Sequence, residues 1–235
     1  MIKIENVVLP HEKQWEAIIR GMRNPLNSWD KSDSKECRDL FCGECNEECL
    51  PYSNGFIIGS NDFDLMKRLD KAGTEHRKFM RMITVYIDIT APLYWWKEFD
   101  TYKVGTVTNS CSTMHKIAAK EFTMEDFSCE HLETISRLDE DGEEYKPYML
   151  MKEMIKCLNA CRKTFMETKN KTDWWQLIQL LPSSYNQKRT VMLNYEVLAN
   201  MYHQRKKHKL DEWRTFCEWI KTLPCSELIT GEENE

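Results

Sequence analysis

The sequence predicts a helix-rich α+β (α/β) fold with a small central sheet in a single domain. Apolar residues recur at spacings of three and four along several segments, as in amphipathic helices. β-Branched and aromatic residues are concentrated in a few shorter stretches, as in strands. The 235 residues include only 8 Gly and 7 Pro, and 41% are hydrophobic, which is enough for a core.

The first half of the chain alternates between helical and extended patterns. Trp15, Ile18, Ile19 and Met22 predict an amphipathic helix over residues 11–23. The next residues predict a polar, cysteine-rich insertion at 26–55 and a helix at 61–72, capped by Asn61-Asp62 and ended by Gly73. A strand is predicted at 79–89, a helix begun by Pro92 at 92–102, and a short extended stretch at 106–108.

The second half is predicted to be mainly helical. A helix with Thr123 as its N-cap is predicted at 123–138, and two more helices at 148–168 and 172–180. A strand at 188–193 is followed by two closing helices at 195–205 and 210–222. An acidic tail at 225–235 is expected to fray. The domain is predicted to span residues 1–235.

The charge balance and hydropathy argue against several classes of protein. A net charge of −5 and a pI of about 5.8 disfavour a nucleic-acid-binding protein that works through bulk positive charge. There is no apolar run of about 18 residues, so we expect no membrane span. The N-terminus lacks the apolar stretch of a signal peptide, so we expect a cytoplasmic protein with mainly reduced cysteines.

Four cysteines form a local cluster in the polar insertion. Cys37, Cys42, Cys45 and Cys49 follow the pattern C-x4-C-x2-C-x3-C. Four thiolates can hold a structural zinc ion or an iron–sulfur cluster. The usual zinc pattern has two pairs separated by a longer loop, and nearby glutamates add negative charge. Free thiols in a surface loop are therefore the competing interpretation.

Two polar residues follow a Leu-Pro pair at regular distances. Asn194 comes twelve residues after the proline of Leu181-Pro182, and Arg205 comes eleven residues after Asn194. Taken alone, Asn194 is a good helix N-cap, and Arg205 belongs to a basic run that suits a helix C-terminus.

A second group of polar residues lies upstream. Seven residues separate the triplet Tyr102-Lys103-Val104 from Ser112, with Asn109 between them, and His76 lies further toward the N-terminus. Taken alone, Ser112 fits a polar turn, and His76 fits an exposed position after a helix end.

In this order and spacing, residues 60–220 resemble the flavin-dependent thymidylate synthases, whose signature is R-H-R-x7-S followed by Leu-Pro and N-x-R. The resemblance implies conversion of dUMP to dTMP with FAD, methylenetetrahydrofolate and NADPH, in a homotetramer whose active sites are shared between subunits. It also implies flavin contacts for His76, Lys103, Asn109 and Asn194, a phosphate contact for Ser112, and substrate binding and catalysis by Arg205, which would polarise the pyrimidine ring.

Several signature positions are changed. Tyr102-Lys103-Val104 replaces R-H-R, while Met114 and Ile178 replace arginines that hold the substrate phosphate in the family. Glu196 replaces the N-x-R arginine, and a carboxylate there would repel a phosphate. Lys116, Lys188 and Arg189 are cationic residues near these motifs in sequence.

Three functions are compatible with this pattern. The first is a thymidylate synthase-like enzyme acting on a pyrimidine deoxynucleotide, with an unchanged or altered substrate. The alternative is a catalytically inactive descendant that acts as a nucleotide- or protein-binding module. The third is a metal-containing interaction module built on the cysteine cluster.

Overall fold

The structure is a computed structural model that describes residues 1–36 and 56–231. These residues divide into two compact units. Unit 1 contains Met1–Lys3, Ile89–Asp100 and Asn109–Arg189, and unit 2 contains Ile4–Asp88, Thr101–Thr108 and Thr190–Glu235. The predicted helix-rich α+β fold is confirmed. The single domain over 1–235 stays a prediction.

Eight strands occur among the described residues. They are β1 (Lys3–Val8), β2 (Lys35–Glu36), β3 (Phe56–Ile57), β4 (Thr84–Pro92), β5 (Val107–Ser110), β6 (Arg137–Leu138), β7 (Glu144–Tyr145) and β8 (Asn186–Asn194). A four-stranded sheet has the order β1-β4-β8-β5. Two antiparallel pairs, β2–β3 and β6–β7, are separate from it.

Eight α-helices occur in the same residues. They are α1 (Glu12–Arg23), α2 (Ser60–Lys71), α3 (Leu93–Phe99), α4 (Pro147–Thr168), α5 (Lys171–Leu180), α6 (Tyr195–Arg205), α7 (Asp211–Lys221) and α8 (Glu227–Thr230). None is long and apolar enough to cross a membrane.

The core of unit 1 is formed by α4, α5 and the segment before them. Leu158 of α4 and Leu177 of α5 are fully buried, and they belong to a cluster with Phe122 and Phe127. Trp96 of α3 is also buried in unit 1, and its indole nitrogen donates a hydrogen bond to the carbonyl of Gln187 at 2.9 Å.

The core of unit 2 is centred on α6, which packs against α7 and α8. Tyr195, at the start of α6, is completely buried, and its hydroxyl donates to the carbonyl of Pro224 at 2.6 Å. Trp15 and Ile18 of α1 are each 1% exposed, as the predicted amphipathic helix requires.

A buried ion pair connects α1 to α2 in unit 2. Arg23 is 4% exposed and Asp62 is 0% exposed, and Arg23 Nε lies 2.5 Å from Asp62 Oδ1. The other Asp62 oxygen accepts hydrogen bonds from the hydroxyls of Ser32 and Ser34 at 2.7 and 2.6 Å. The carboxylate is thus satisfied inside the protein, as a buried charge must be.

The N-terminus of α2 differs from the sequence prediction. Asn61 and Asp62 do not act as caps, because α2 begins at Ser60 with Gly59 as its N-cap residue. The backbone N–H groups of Asn61 and Asp62 instead donate to the carboxylate of Asp33, at 2.8 and 3.1 Å. A residue from another segment therefore satisfies these helix donors.

The predicted helix over 123–138 is wrong. Thr123 caps only a short 3-10 turn, Met124–Asp126. After it, Phe127 forms a bridge with Tyr185, and the Ser128 N–H donates to the carbonyl of Ser184 at 2.8 Å. These long-range backbone bonds compete with a local helix.

Three other boundaries also differ. The strand predicted from residue 79 begins at Thr84, after a 3-10 turn at Lys78–Arg81, and the helix after Pro92 ends at Phe99. The segment after Cys225 does not fray throughout, because α8 buries its apolar side chains, whereas residues 232–235 lie outside the described residues.

Candidate functional site

The segment that replaces the R-H-R triplet contacts α6 in unit 2. Asn194 Oδ1 accepts a hydrogen bond from the backbone N–H of Val197 at 3.0 Å, so the predicted N-cap is confirmed. The Nδ2 group of the same side chain donates to the carbonyl of Gly105 at 3.5 Å. The cap residue therefore also contacts Gly105, the residue directly after the triplet Tyr102-Lys103-Val104.

Gly105 allows this close approach. Its φ is +83°, a backbone conformation that disfavours residues with a Cβ atom. A Cβ at this position would lie 2.6 Å from Asn194 Nδ2, which is closer than non-bonded atoms tolerate. Both the backbone angle and the contact require glycine here.

Arg205 is held by Tyr102, the first residue of the triplet that stands in place of R-H-R. Its Nε donates to the Tyr102 hydroxyl at 2.9 Å, and that hydroxyl donates to Oε1 of Gln204, also at 2.9 Å. The guanidinium carbon lies 5.0 Å from the ring centroid of Trp213 and 5.7 Å from that of Tyr102. Arg205 is therefore oriented by a hydrogen bond and two cation–π contacts, beyond what a solvated helix end would provide.

Glu196 is neutralised by an arginine that the sequence analysis did not single out. Arg77 Nε lies 2.9 Å from Glu196 Oε2, and Arg77 Nη1 also lies 2.9 Å from Asp70 Oδ1. Glu196 is 8% exposed. Because its charge is paired, the repulsion of a phosphate that the sequence led us to expect is reduced.

His76 and Lys103 are both exposed in unit 2. His76 lies in the turn after α2, next to Arg77, and Lys103 follows Tyr102. The Arg77–Glu196 and Tyr102–Arg205 contacts join these two segments to α6. The segments carrying His76 and Lys103 thus contact the helix that Asn194 caps and Arg205 ends.

Asn109 and Ser112 belong to unit 1. Asn109 is an exposed residue of β5. Ser112 Oγ accepts hydrogen bonds from the N–H groups of His115 and Met114, at 2.9 and 3.3 Å, so Ser112 stabilises a turn. The hydroxyl still carries a proton that it can donate to a ligand oxygen.

Ser112 lines a cavity of about 250 Å³ in unit 1, together with Lys120 and Lys188. The wall is tied to β8, because the Cys111 N–H donates to the carbonyl of Lys188 at 2.9 Å and Gln187 Nε2 donates to the carbonyl of Cys111 at 2.7 Å. One of the cationic residues identified near the motifs, Lys188, therefore reaches the same cavity as the motif serine.

Acidic and phenolic groups line another part of this cavity. Glu125 and Asp126 contribute carboxylates, and Lys120 forms an ion pair with Asp126. Burial raises the pKa of the Tyr185 phenol, and the nearby Asp126 raises it further. The cavity thus has mixed charge, with a phenol that stays protonated at neutral pH.

Neither replaced phosphate arginine has a cationic substitute at its own position. Met114 is 43% exposed, and its carbonyl accepts a hydrogen bond from the Trp174 indole at 2.9 Å. Ile178 packs against the apolar cluster of unit 1. Arg189 is engaged elsewhere, 2.7 Å from Asp100 and 4.1 Å from the Trp96 ring.

Sequence reasoning missed Arg77, Lys120, Asp126 and Tyr185. Asp126 was missed because the wrongly predicted helix over 123–138 does not allow the bridge that Phe127 forms with Tyr185. Arg77 stood beside His76, but no local pattern connects it to a residue more than a hundred positions away.

The cysteine cluster, Cys37, Cys42, Cys45 and Cys49, lies outside the described residues. Within residues 1–36 and 56–231, no group of three or more His, Cys, Asp or Glu side chains is arranged to hold a metal ion.

No protein-family model and no curated protein matches the chain. Solved structures do match. Flavin-dependent thymidylate synthase ThyX from Helicobacter pylori, complexed with FAD and dUMP, is 14% identical, with 96% of this chain and 97% of that chain covered and a TM-score of 0.61. A second structure of that enzyme with FAD and dUMP, also 14% identical, covers 97% and 95% of the two chains with a TM-score of 0.59.

A third structure is the UMP/dUMP methylase PolB from Streptomyces cacaoi, bound to 5-Br dUMP. It is 13% identical, with 98% of this chain and 95% of that chain covered and a TM-score of 0.59. At this identity the likeness concerns architecture, and the chain therefore has the fold of the flavin-dependent thymidylate synthases.

Proposed function

We propose that the protein is a flavin-dependent enzyme that alkylates a pyrimidine deoxynucleotide, with methylation of dUMP to dTMP as the default reaction. One observation carries the proposal. In a chain with this fold, Arg205 is hydrogen-bonded to Tyr102, the first residue in place of R-H-R, and Asn194 is hydrogen-bonded to Gly105, the residue directly after that triplet. The similarity to proteins solved with FAD and dUMP supports it.

The side chains of unit 2 suit a flavin dinucleotide. His76 and Lys103 are exposed nitrogen donors that can bind phosphate oxygens, and the Asn194 amide has a second N–H beside the one that faces Gly105. We propose that these residues, with Asn109, hold FAD. When bound, FAD would supply the redox and one-carbon transfer chemistry for a reaction that uses methylenetetrahydrofolate and NADPH.

The cavity of unit 1 is proposed to bind the nucleotide phosphate. The Ser112 hydroxyl can donate to a phosphate oxygen, and Lys188 supplies positive charge in the same cavity. A lysine binds phosphate as a point charge and lacks the fork of the two arginines replaced at 114 and 178. We therefore expect weaker phosphate binding than an arginine pair would provide.

Arg205 is proposed to polarise the pyrimidine. A fixed guanidinium charge stabilises electron density pushed into a ring carbonyl. The Nε group of Arg205 donates to the Tyr102 hydroxyl, which fixes the orientation of the planar guanidinium. Tyr102 is therefore a positioning residue that sets the plane of the arginine.

The first test is the visible absorption spectrum of the purified protein, before and after FAD is added. Flavin bands at about 450 nm, followed by methyl transfer to dUMP with methylenetetrahydrofolate and NADPH, would support the proposal. Arg205→Ala should abolish transfer and leave the fold intact. Lys207→Ala, an exposed change in the same basic run, is the matched control and should retain activity. Full turnover by Arg205→Ala would refute the assigned role.

A second function is favoured by one observation. Met114 and Ile178 remove both phosphate arginines without replacement at their positions. A catalytically inactive descendant that binds a nucleotide or a protein would tolerate this loss. If the purified protein does not bind FAD, titration calorimetry with dUMP tests this function, and binding of dUMP would support a nucleotide-binding descendant.

Assembly and metal content are separate proposals drawn from the resemblance and the sequence. We propose a cytoplasmic homotetramer. Light scattering on the purified protein measures the mass of the assembly and so tests the number of subunits. Zinc at the cysteine cluster is tested by metal analysis of the intact chain.

A further inference from the structure

A basic groove lies along α2 in unit 2, apart from the residues proposed to bind FAD or the nucleotide. Its volume is about 640 Å³, within the usual range for small-molecule sites. Asp64, Lys67, Arg68 and Lys71 line it from one face of α2, because residues spaced three, four and seven apart lie on the same side of a helix.

Another part of the lining is held by the buried arginine of the Arg23–Asp62 pair. Arg23 Nη2 donates to the backbone carbonyl of Lys31 at 3.0 Å, and its Nη1 donates to that of Ser28 at 3.2 Å. These bonds fix the backbone that carries Lys31. The Lys31 side chain is exposed and lines the same groove.

The charge of this groove is opposite to that of the whole chain. Lys31, Lys67, Arg68 and Lys71 contribute cationic groups, and Asp64, 2.9 Å from Lys67, contributes a carboxylate. Arg23 lies deeper, and its charge is compensated by Asp62. In a chain with a net charge of −5, these neighbouring cations create a local anion site.

We propose that this groove binds a small anion with linked phosphates, such as the triphosphate group of a nucleotide. From Asp64 to Lys71 the face of α2 spans about 10 Å, at about 1.5 Å per residue. Several cations over this length match several linked phosphates. A long nucleic acid would extend past the groove onto the rest of a chain whose net charge is −5. The proposal is independent of the proposed enzymatic function.

The test is titration calorimetry of the full-length protein with inorganic tripolyphosphate at low ionic strength. Arg68→Gln/Lys71→Gln removes two exposed groove charges and keeps good helix formers. Lys97→Gln/Lys163→Gln removes two exposed charges on other helices and gives the same change in net charge. Circular dichroism confirms that both variants fold.

Wild-type protein should bind tripolyphosphate, with an affinity that falls as salt is added. The groove variant should bind about tenfold more weakly, whereas the control should stay within about twofold. The proposal is overturned by no binding to the wild type, or by equal losses in the two variants. It is also overturned if a single-stranded oligonucleotide binds more tightly than tripolyphosphate, since that would indicate a nucleic-acid surface.

Discussion

Replacing Asp62 by alanine should destabilise the protein strongly, because it leaves a buried charge without its partner. In the native structure Arg23 and Asp62 are 4% and 0% exposed and their nearest charged atoms are 2.5 Å apart. The substitution also removes the acceptor for the hydroxyls of Ser32 and Ser34.

The expected magnitude follows from these contacts. Removing one member of a buried ion pair costs about 3–5 kcal/mol, since the remaining ion has lost both its hydration and its partner. The serine hydroxyls lie in a partly buried environment, where solvent can replace part of the lost bonding. We therefore expect the free energy of unfolding to fall by about 4 kcal/mol.

Urea denaturation at neutral pH, followed by circular dichroism, measures this change. Asp64→Ala is a matched control, because Asp64 lies two residues further along the same helix and pairs with Lys67 at the surface, where it is 67% exposed. This exposed pair should contribute at most about 1 kcal/mol. Arg23→Met/Asp62→Leu should recover part of the stability lost in the single variant, because it removes both charges.

The Asp62 contribution should depend on pH. Burial alone would raise the pKa of this carboxyl, but hydrogen bonds from Ser34, Ser32 and Arg23 outweigh it and bring the pKa below 3.8. Because the folded-state pKa is the lower one, the stabilisation is complete above the unfolded-state pKa. It is lost as the pH falls through the folded-state pKa. The difference in free energy of unfolding between wild type and Asp62→Ala should therefore decrease only below about pH 4. Equal effects of Asp62→Ala and Asp64→Ala at neutral pH would refute the reasoning.

Three further predictions concern other parts of the chain. Gly105→Ala should reduce the melting temperature more than Gly142→Ala, since both glycines have φ near +80° but only the first would place a Cβ against a neighbour, 2.6 Å away. Burial raises the pKa of the Cys225 thiol to about 12, so this residue should resist iodoacetamide at neutral pH while the exposed Cys111 reacts. Mass spectrometry of the folded protein measures both reactions, and rapid labelling of Cys225 would contradict the ordered C-terminal helix. Tyr102→Phe should lower kcat about tenfold with little change in flavin binding, because it removes a hydrogen bond to a charged group worth about 1.5 kcal/mol or more; unchanged kcat would exclude the positioning role.

Local patterns determined a large part of the secondary structure. Trp15, Ile18, Ile19 and Met22 predicted α1 because their spacing places them on one helix face, and all four are buried. Asn194 was identified as a cap because the bond it makes, to the N–H of Val197, spans only three residues. The resemblance of their order and spacing to a family signature also grouped Asn194, Ser112 and Arg205 as one predicted set.

The tertiary structure decided how these residues are supported. Asp33 caps α2 in place of Asn61-Asp62, and Arg77 neutralises Glu196, although neither pairing follows from any local rule. The failed helix after Thr123 has the same origin, because Phe127 pairs with Tyr185. Residue type and spacing specify contacts within a few turns of a helix. Ion pairs and backbone bonds between distant segments depend on how the chain returns on itself, so only the folded structure could show which charge meets which partner.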